Sequence, residues 1–160
     1  MILLIGLPGS GKSTWAQQFV SQHPAYEIVS TDAIRQQLFG DEAVQGSWPQ
    51  IWRQLQHQLQ QNVAAIRQGH RQGTIYDATN VRRRHRRDAI ALARHLGFDS
   101  ITALWFDIPL AICLQHNQMR SRRVPDEVIE RMHRQLQGAP PAHWEGFDAI
   151  HRWGCDGRIE

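Results

Sequence analysis

Gly6-Leu7-Pro8-Gly9-Ser10-Gly11-Lys12-Ser13-Thr14 follows directly on the apolar run Ile2-Leu3-Leu4-Ile5, and its spacing is G-x-x-x-x-G-K-[ST]. Lys12 is the only lysine of the chain; the other 17 of its 18 basic residues are arginine. A compact ammonium on a flexible stem can follow a phosphate that moves during reaction, where a planar guanidinium fork is bulkier and less adaptable. Glycines free successive backbone N–H groups to form an anion nest at a helix N-terminus. The stretch reads as a nucleoside-triphosphate site. In it Gly6, Leu7, Pro8, Gly9, Ser10, Gly11 and Thr14 form the cradle, Lys12 bridges the β- and γ-phosphates of ATP, and the Ser13 hydroxyl is offered to Mg²⁺.

Outward from this loop, the alternation of apolar runs and helical patterns is regular. Strands are expected at Ile2–Ile5, Tyr26–Ser30, Gly73–Tyr76 and Ser100–Phe106, with a short last one at Asp148–Trp153. Helices are expected over Lys12–Val20, Asp32–Leu38, Gln50–Gln68, Arg83–Leu96, Pro109–Met119 and Pro125–Gln137. The long one carries Ile51, Leu55, Leu59, Val63 and Ile66 at three- and four-residue intervals, which gives one buried stripe. Gly97 is placed to cap the helix before it, and Gly40–Pro49 reads as a loop. The pattern predicts an α/β, three-layer fold with a central parallel sheet and helices on both faces, in one domain over residues 1–160. Ligands bind such sheets at the carboxyl ends of the strands. The loops at 6–14, 30–35 and 77–80 therefore converge on one edge.

Composition bounds the rest. A chain of 160 residues, 41% hydrophobic and 21% charged, suits a globular domain. No apolar run approaches the ~18 residues of a membrane span, and the N-terminus lacks the basic, apolar pattern of a secretory signal. Cys113 and Cys155 form no disulfide framework, and reduced thiols in a cytoplasmic protein are expected. The formal charge of +3 is modest, but its arginines cluster at 82–87 and at 120–123. The first cluster reads either as a solvated face or as a seat for nucleic-acid phosphates. The second, between two helices, reads as a basic lid over the triphosphate, one arginine of which stabilises charge on the transferring group.

Two carboxylates remain open from spacing alone. Asp32 could accept a proton from an attacking hydroxyl, or complement a helix dipole and pair with Arg35. Asp77 could stand beside the Mg²⁺, or with Thr79 and Asn80 simply build a turn.

Taken together, Gly6 to Ala16, Ser30-Thr31-Asp32 with Arg35, Asp77-Ala78-Thr79-Asn80, and Asn117 to Arg120 followed by Val124-Pro125 resemble the phage-type polynucleotide 5′-kinase family of P-loop kinases. Glu145-Gly146-Phe147 is similar to the kinase domains of DNA-end-healing enzymes. The resemblance implies ATP-dependent transfer to a 5′-hydroxyl of DNA or RNA. It makes Asp32 the general base, Arg35 a contact to the acceptor's 3′-phosphate and Arg120 the lid arginine on the donor phosphates; Asp77, Thr79 and Asn80 line the acceptor side. His116 stands where many relatives carry an arginine, which shifts part of the lid charge to Arg122 or Arg123. The aspartate of the phage-type enzymes falls one position later, at Ala78. The alternatives are a kinase of a small alcohol (a nucleoside, sugar or antibiotic) and an ATP-binding regulatory or assembly protein.

Overall fold

The structure is a computed structural model, and it describes residues 1–154; Cys155 lies outside the described residues. Five strands form one sheet: β1 (Ile2–Gly6), β2 (Tyr26–Ser30), β3 (Gly73–Asp77), β4 (Thr102–Phe106) and β5 (Ala149–Trp153). All pairs are parallel, in the order β2-β3-β1-β4-β5. Six α-helices connect them: α1 (Lys12–Gln22), α2 (Thr31–Phe39), α3 (Trp48–Arg67), α4 (Arg83–Leu96), α5 (Leu110–Gln118) and α6 (Asp126–Gly138), with a 3-10 turn at His143–Glu145.

β1 is apolar, and β3 is buried along its whole length, because both faces of these strands are covered. Side chains alternate between two cores. Leu3 and Ile5 face a large core with α3 and α4, which brings in Ile51, Leu55, Leu59, Ala89 and Ala93. Leu4, Ile75 and Leu104 face a smaller one built with Ala16 of α1. The three layers anticipated from the sequence are therefore present, as is the buried stripe of α3. Gly97, at φ 102°, ends α4 in the left-handed region as expected.

One boundary is corrected. Pro49 belongs to α3 and not to the preceding loop, because a proline in the first helical turn lacks an N–H that would have no partner there anyway.

The strand order creates the site. The chain leaves β1 toward β2, returns through β3, then crosses to β4 on the other side of β1. Such a switch point opens a crevice at the carboxyl end of the central strand, where Gly6 begins the glycine-rich loop.

Candidate active site at the carboxyl edge of the sheet

The loop between β1 and α1 is shaped by two glycines. Gly9, at φ 81°, lies so close to α5 that an added Cβ would sit 2.3 Å from the Cys113 carbonyl oxygen. Gly11, at φ 90°, is the N-cap of α1 and aims the first N–H groups of that helix into the crevice. Lys12 is buried, and its ammonium donates to the Leu7 carbonyl at 2.7 Å and to Ser10 Oγ at 3.2 Å. Burial lowers its pKa to about 8, against a counteracting pull from the Asp77 carboxylate. His116, on α5, meets the Gly9 carbonyl through Nδ1 at 2.9 Å. It braces the loop from the place where an arginine was expected.

A cleft of about 850 Å³ opens over this loop, and every residue assigned from the sequence to acceptor or lid lines it: Asp32, Arg35, Asp77, Thr79, Asn80 and Arg120. The pairing of Asp32 with Arg35 is present. Arg35 Nη1 donates to Asp32 Oδ1 at 2.9 Å, yet the carboxylate remains half-exposed to the cleft. Arg35 itself is largely buried, and its Nε has no partner. Asp77 is buried at the end of β3, in register with Ser30.

Thr79 and Asn80 also staple the site together. The Gly6 N–H donates to the Thr79 carbonyl at 3.0 Å, and Asn80 Nδ2 donates to the Leu4 carbonyl at 2.8 Å. That second bond holds Asn80 at φ 48°, the only positive φ outside glycine among the described residues.

The basic loop after α5 is closed by Asn117. Its Nδ2 donates to the Val124 carbonyl at 2.7 Å, while its Oδ1 accepts from the Val124 N–H at 3.0 Å. This clasp directs two arginines of the loop differently. Arg122 turns inward and reaches Asp32 Oδ2 at 3.6 Å and Glu42 at 3.4 Å, tying the lid to the opposite wall. Arg123 faces a separate surface depression beside Gln118 and Met119. Of the two arginines left open by the sequence, Arg122 is the one in the cleft.

The 82–87 cluster is not one solvated face. Arg86 is fully buried and fork-paired with Glu145, Nε to Oε2 and Nη2 to Oε1, both at 2.7 Å. It also donates to the carbonyls of Val81 (3.1 Å) and Ala139 (2.8 Å). The reading of the run as solvent- or phosphate-facing fails at this position, since one arginine of the run is the internal clamp between the β3–α4 turn and the 143–145 turn. Arg83 packs over Trp144, 4.5 Å from the ring centroid.

Sequence reasoning missed the aromatic walls. Trp15, Phe106 and Trp153 gather on the β4–β5 side, with Trp15 lying 6.1 Å from Phe106 and 6.4 Å from Trp153 between ring centroids. Trp48, Trp52 and His85 gather on the β2–β3 side. Six tryptophans in 160 residues were a signal of composition, but nothing local said where they meet.

A magnesium ion fits these residues. The Ser13 hydroxyl is exposed to the cleft at the start of α1, and the Asp77 carboxylate lines the same space. Mg²⁺ bound to a triphosphate needs little more from the protein, because phosphate oxygens and waters complete its shell.

Known proteins share this arrangement. The family model for an AAA domain matches residues 1–139. L-seryl-tRNA(Sec) kinase of Methanococcus maripaludis is 28% identical over 137 residues, which cover 83% of this chain and 51% of that protein. A chain of the Pnkp1/Rnl/Hen1 RNA repair complex superposes with a TM-score of 0.68 at 25% identity, over 86% of this chain and 43% of that one. A shikimate kinase from Bacteroides thetaiotaomicron superposes with a TM-score of 0.59 at 14% identity, over 94% of this chain and 85% of that one, and shows the fold alone. The chain spans about half the length of the curated relative it matches. With its glycine-rich loop at the switch point and a family match over most of its residues, the chain belongs to the AAA domain family.

Proposed function

We propose that this kinase transfers the γ-phosphate of ATP to a 5′-hydroxyl of a nucleic acid. The observation that carries the reading is Arg35: a largely buried guanidinium at the cleft, bonded to Asp32 and left with an unpartnered Nε. An orphaned cationic donor beside the candidate base favours an acceptor that is itself an anion, because a charge-assisted bond to a phosphate is about twice as strong as one to a neutral sugar hydroxyl. The structural likeness to a chain of an RNA repair complex supports the same acceptor class.

In this reading the triphosphate lies on the Gly9–Ser13 amides, and adenine rests against Trp15 and Trp153. Ser13 and Asp77 would hold a Mg²⁺ ion, which would neutralise phosphate charge. Asp32 takes the proton of the attacking hydroxyl, its orientation set by Arg35. Lys12 and Arg120 face the charge that spreads over the transferring group, and Arg122 ties the lid to the acceptor wall.

The test is labelled ATP with 5′-hydroxyl oligonucleotides beside a panel of small alcohols. Asp32→Asn is expected to lower kcat by about 10²–10⁴-fold while leaving the ATP Kd within about threefold. Undiminished transfer sinks the assignment of the base. Transfer to a small alcohol alone replaces the acceptor, and no transfer to any acceptor points to an ATP-binding regulatory role.

A further inference from the structure

On its β2–β3 side the cleft has a wall that a triphosphate and one hydroxyl leave unused. The wall there is aromatic and basic, formed by Trp48 and Trp52 at the start of α3 and by Arg82 and His85 at the start of α4. Trp48 is 44% exposed, an unusual position for so large an apolar ring that lines a cleft. Its plane lies within 21° of His85, centroids 6.0 Å apart, and it leans on Trp52 at 5.9 Å. The indole is thus held by two neighbouring rings and still reaches solvent at the cleft. Burial and the neighbouring Arg82 both lower the His85 pKa, which keeps that supporting ring uncharged near neutrality.

The beginning of α4 adds the charge. Positive residues at a helix start oppose the helix dipole, yet α4 opens Arg82-Arg83-Arg84 with no acid in its first turn and no side-chain cap. Arg82 is exposed at the cleft, and the side chain it meets is the neutral amide of Gln135, at 3.2 Å. This wall stands on the same side of the phosphate loop as Asp32 and Arg35, across β1 from the Trp15–Trp153 wall.

We infer that Trp48, backed by His85 and Trp52, is the platform on which the terminal base of the acceptor strand stacks, and that Arg82 takes the phosphate following it. The inference rests on the acceptor class proposed above and specifies how that acceptor is held. Base stacking on an aromatic ring tolerates any sequence because every base has a π-face, so the platform selects a single-stranded end without reading it. A small alcohol has no use for it.

The test is steady-state transfer to a 5′-hydroxyl oligonucleotide and to the same strand with an abasic 5′-terminal residue. Trp48→Ala should raise the acceptor KM at least tenfold for the intact strand and leave the ATP KM unchanged. Trp48→Phe should restore most of the loss. The abasic strand should bind the unaltered protein about as poorly as the intact strand binds W48A, and W48A should not distinguish the two. Arg82→Gln should make the acceptor affinity less salt-dependent, by about one unit of slope against log salt. If the unaltered protein phosphorylates the intact strand and W48A does so with the same acceptor KM, the platform is refuted while the polynucleotide acceptor stands. The platform is equally refuted if the abasic and W48A losses add. If no oligonucleotide is phosphorylated by the unaltered protein, the acceptor class fails and the platform with it.

Discussion

Replacing Arg86 by methionine removes the cation of a pair whose two side chains are both fully buried. Six hydrogen bonds go at once: the two-pronged bond to Glu145 and the bonds to the carbonyls of Asn80, Val81, Ala139 and Pro140. Methionine fills much of the volume, so the loss is chiefly electrostatic. The Glu145 carboxylate loses its close counter-charge, keeping a bond from the Ala142 N–H at 3.2 Å and only the more distant Arg83 Nε, at 3.9 Å. Breaking a buried pair from one side costs about 3–5 kcal/mol. In a domain of this size each 1 kcal/mol moves the Tm by about 2–4 °C, so R86M should melt about 6–20 °C lower. The decisive comparison is a double-mutant cycle in urea, followed by circular dichroism. Glu145→Leu alone strands the guanidinium, but the double variant strands neither charge. It should therefore be more stable than the sum of the single losses predicts, by about 1–3 kcal/mol. An R86M variant within about 1 kcal/mol of the parent, or strictly additive losses, would falsify the view that this arginine is an internal clamp.

Gly9→Ala adds a Cβ that meets the Cys113 carbonyl oxygen at 2.3 Å, in a left-handed conformation alanine avoids, so the loop must move off α5. The ATP Kd should rise at least tenfold, and calorimetric titration with unchanged affinity would contradict the packing. Lys12, with its pKa lowered to about 8, is in good part neutral at pH 8.5, and bound phosphates favour its charged form. ATP binding at that pH should therefore take up about three quarters of a proton, read as a dependence of binding enthalpy on buffer ionisation enthalpy; proton release would refute the environment assigned to it. In the free protein the same lowered value means that the unfolded chain holds more protons between about pH 8 and 10.5. The Lys12 contribution to stability should then rise with pH across that window, and Lys12→Met should flatten the slope.

What the sequence made legible is what the chain decides locally. The phosphate loop sits between strand and helix because its own glycines, its lysine and the apolar run before it require no distant partner. The stripe of α3 and the Gly97 cap were equally self-contained. What escaped was decided at a distance. Arg86 sits among five arginines in six residues, and nothing in that run marks it for burial; its partner Glu145 is 59 positions away. Arg122 and Arg123 are neighbours of identical chemistry, separated only by a clasp seven residues long that turns one inward. The tryptophans of the two walls come from three separate elements, so where they gather is decided by the strand order and not by any local pattern.

Strand order also bears on Asp77, whose role the motif left open. β3 lies between β2 and β1, and Asp77 is in register with Ser30, the N-cap of the helix that carries Asp32. On its other side lies the phosphate loop, and its carboxylate acts directly on the Lys12 ammonium. A residue that served only to build the β3–α4 turn could point anywhere. This one is buried at the cleft, and the turn after it is already held by Thr79 and Asn80 through their bonds to Gly6 and Leu4. With the turn secured by its neighbours, the carboxylate of Asp77 is free for charge. Its place between the donor loop and the acceptor helix is where a metal on the transferring phosphate would need an oxygen. Under the proposed function the same logic separates the two walls: residues at the ends of β4 and β5 would face the donor, residues around the ends of β2 and β3 would face the acceptor, and β1 would deliver the phosphate between them.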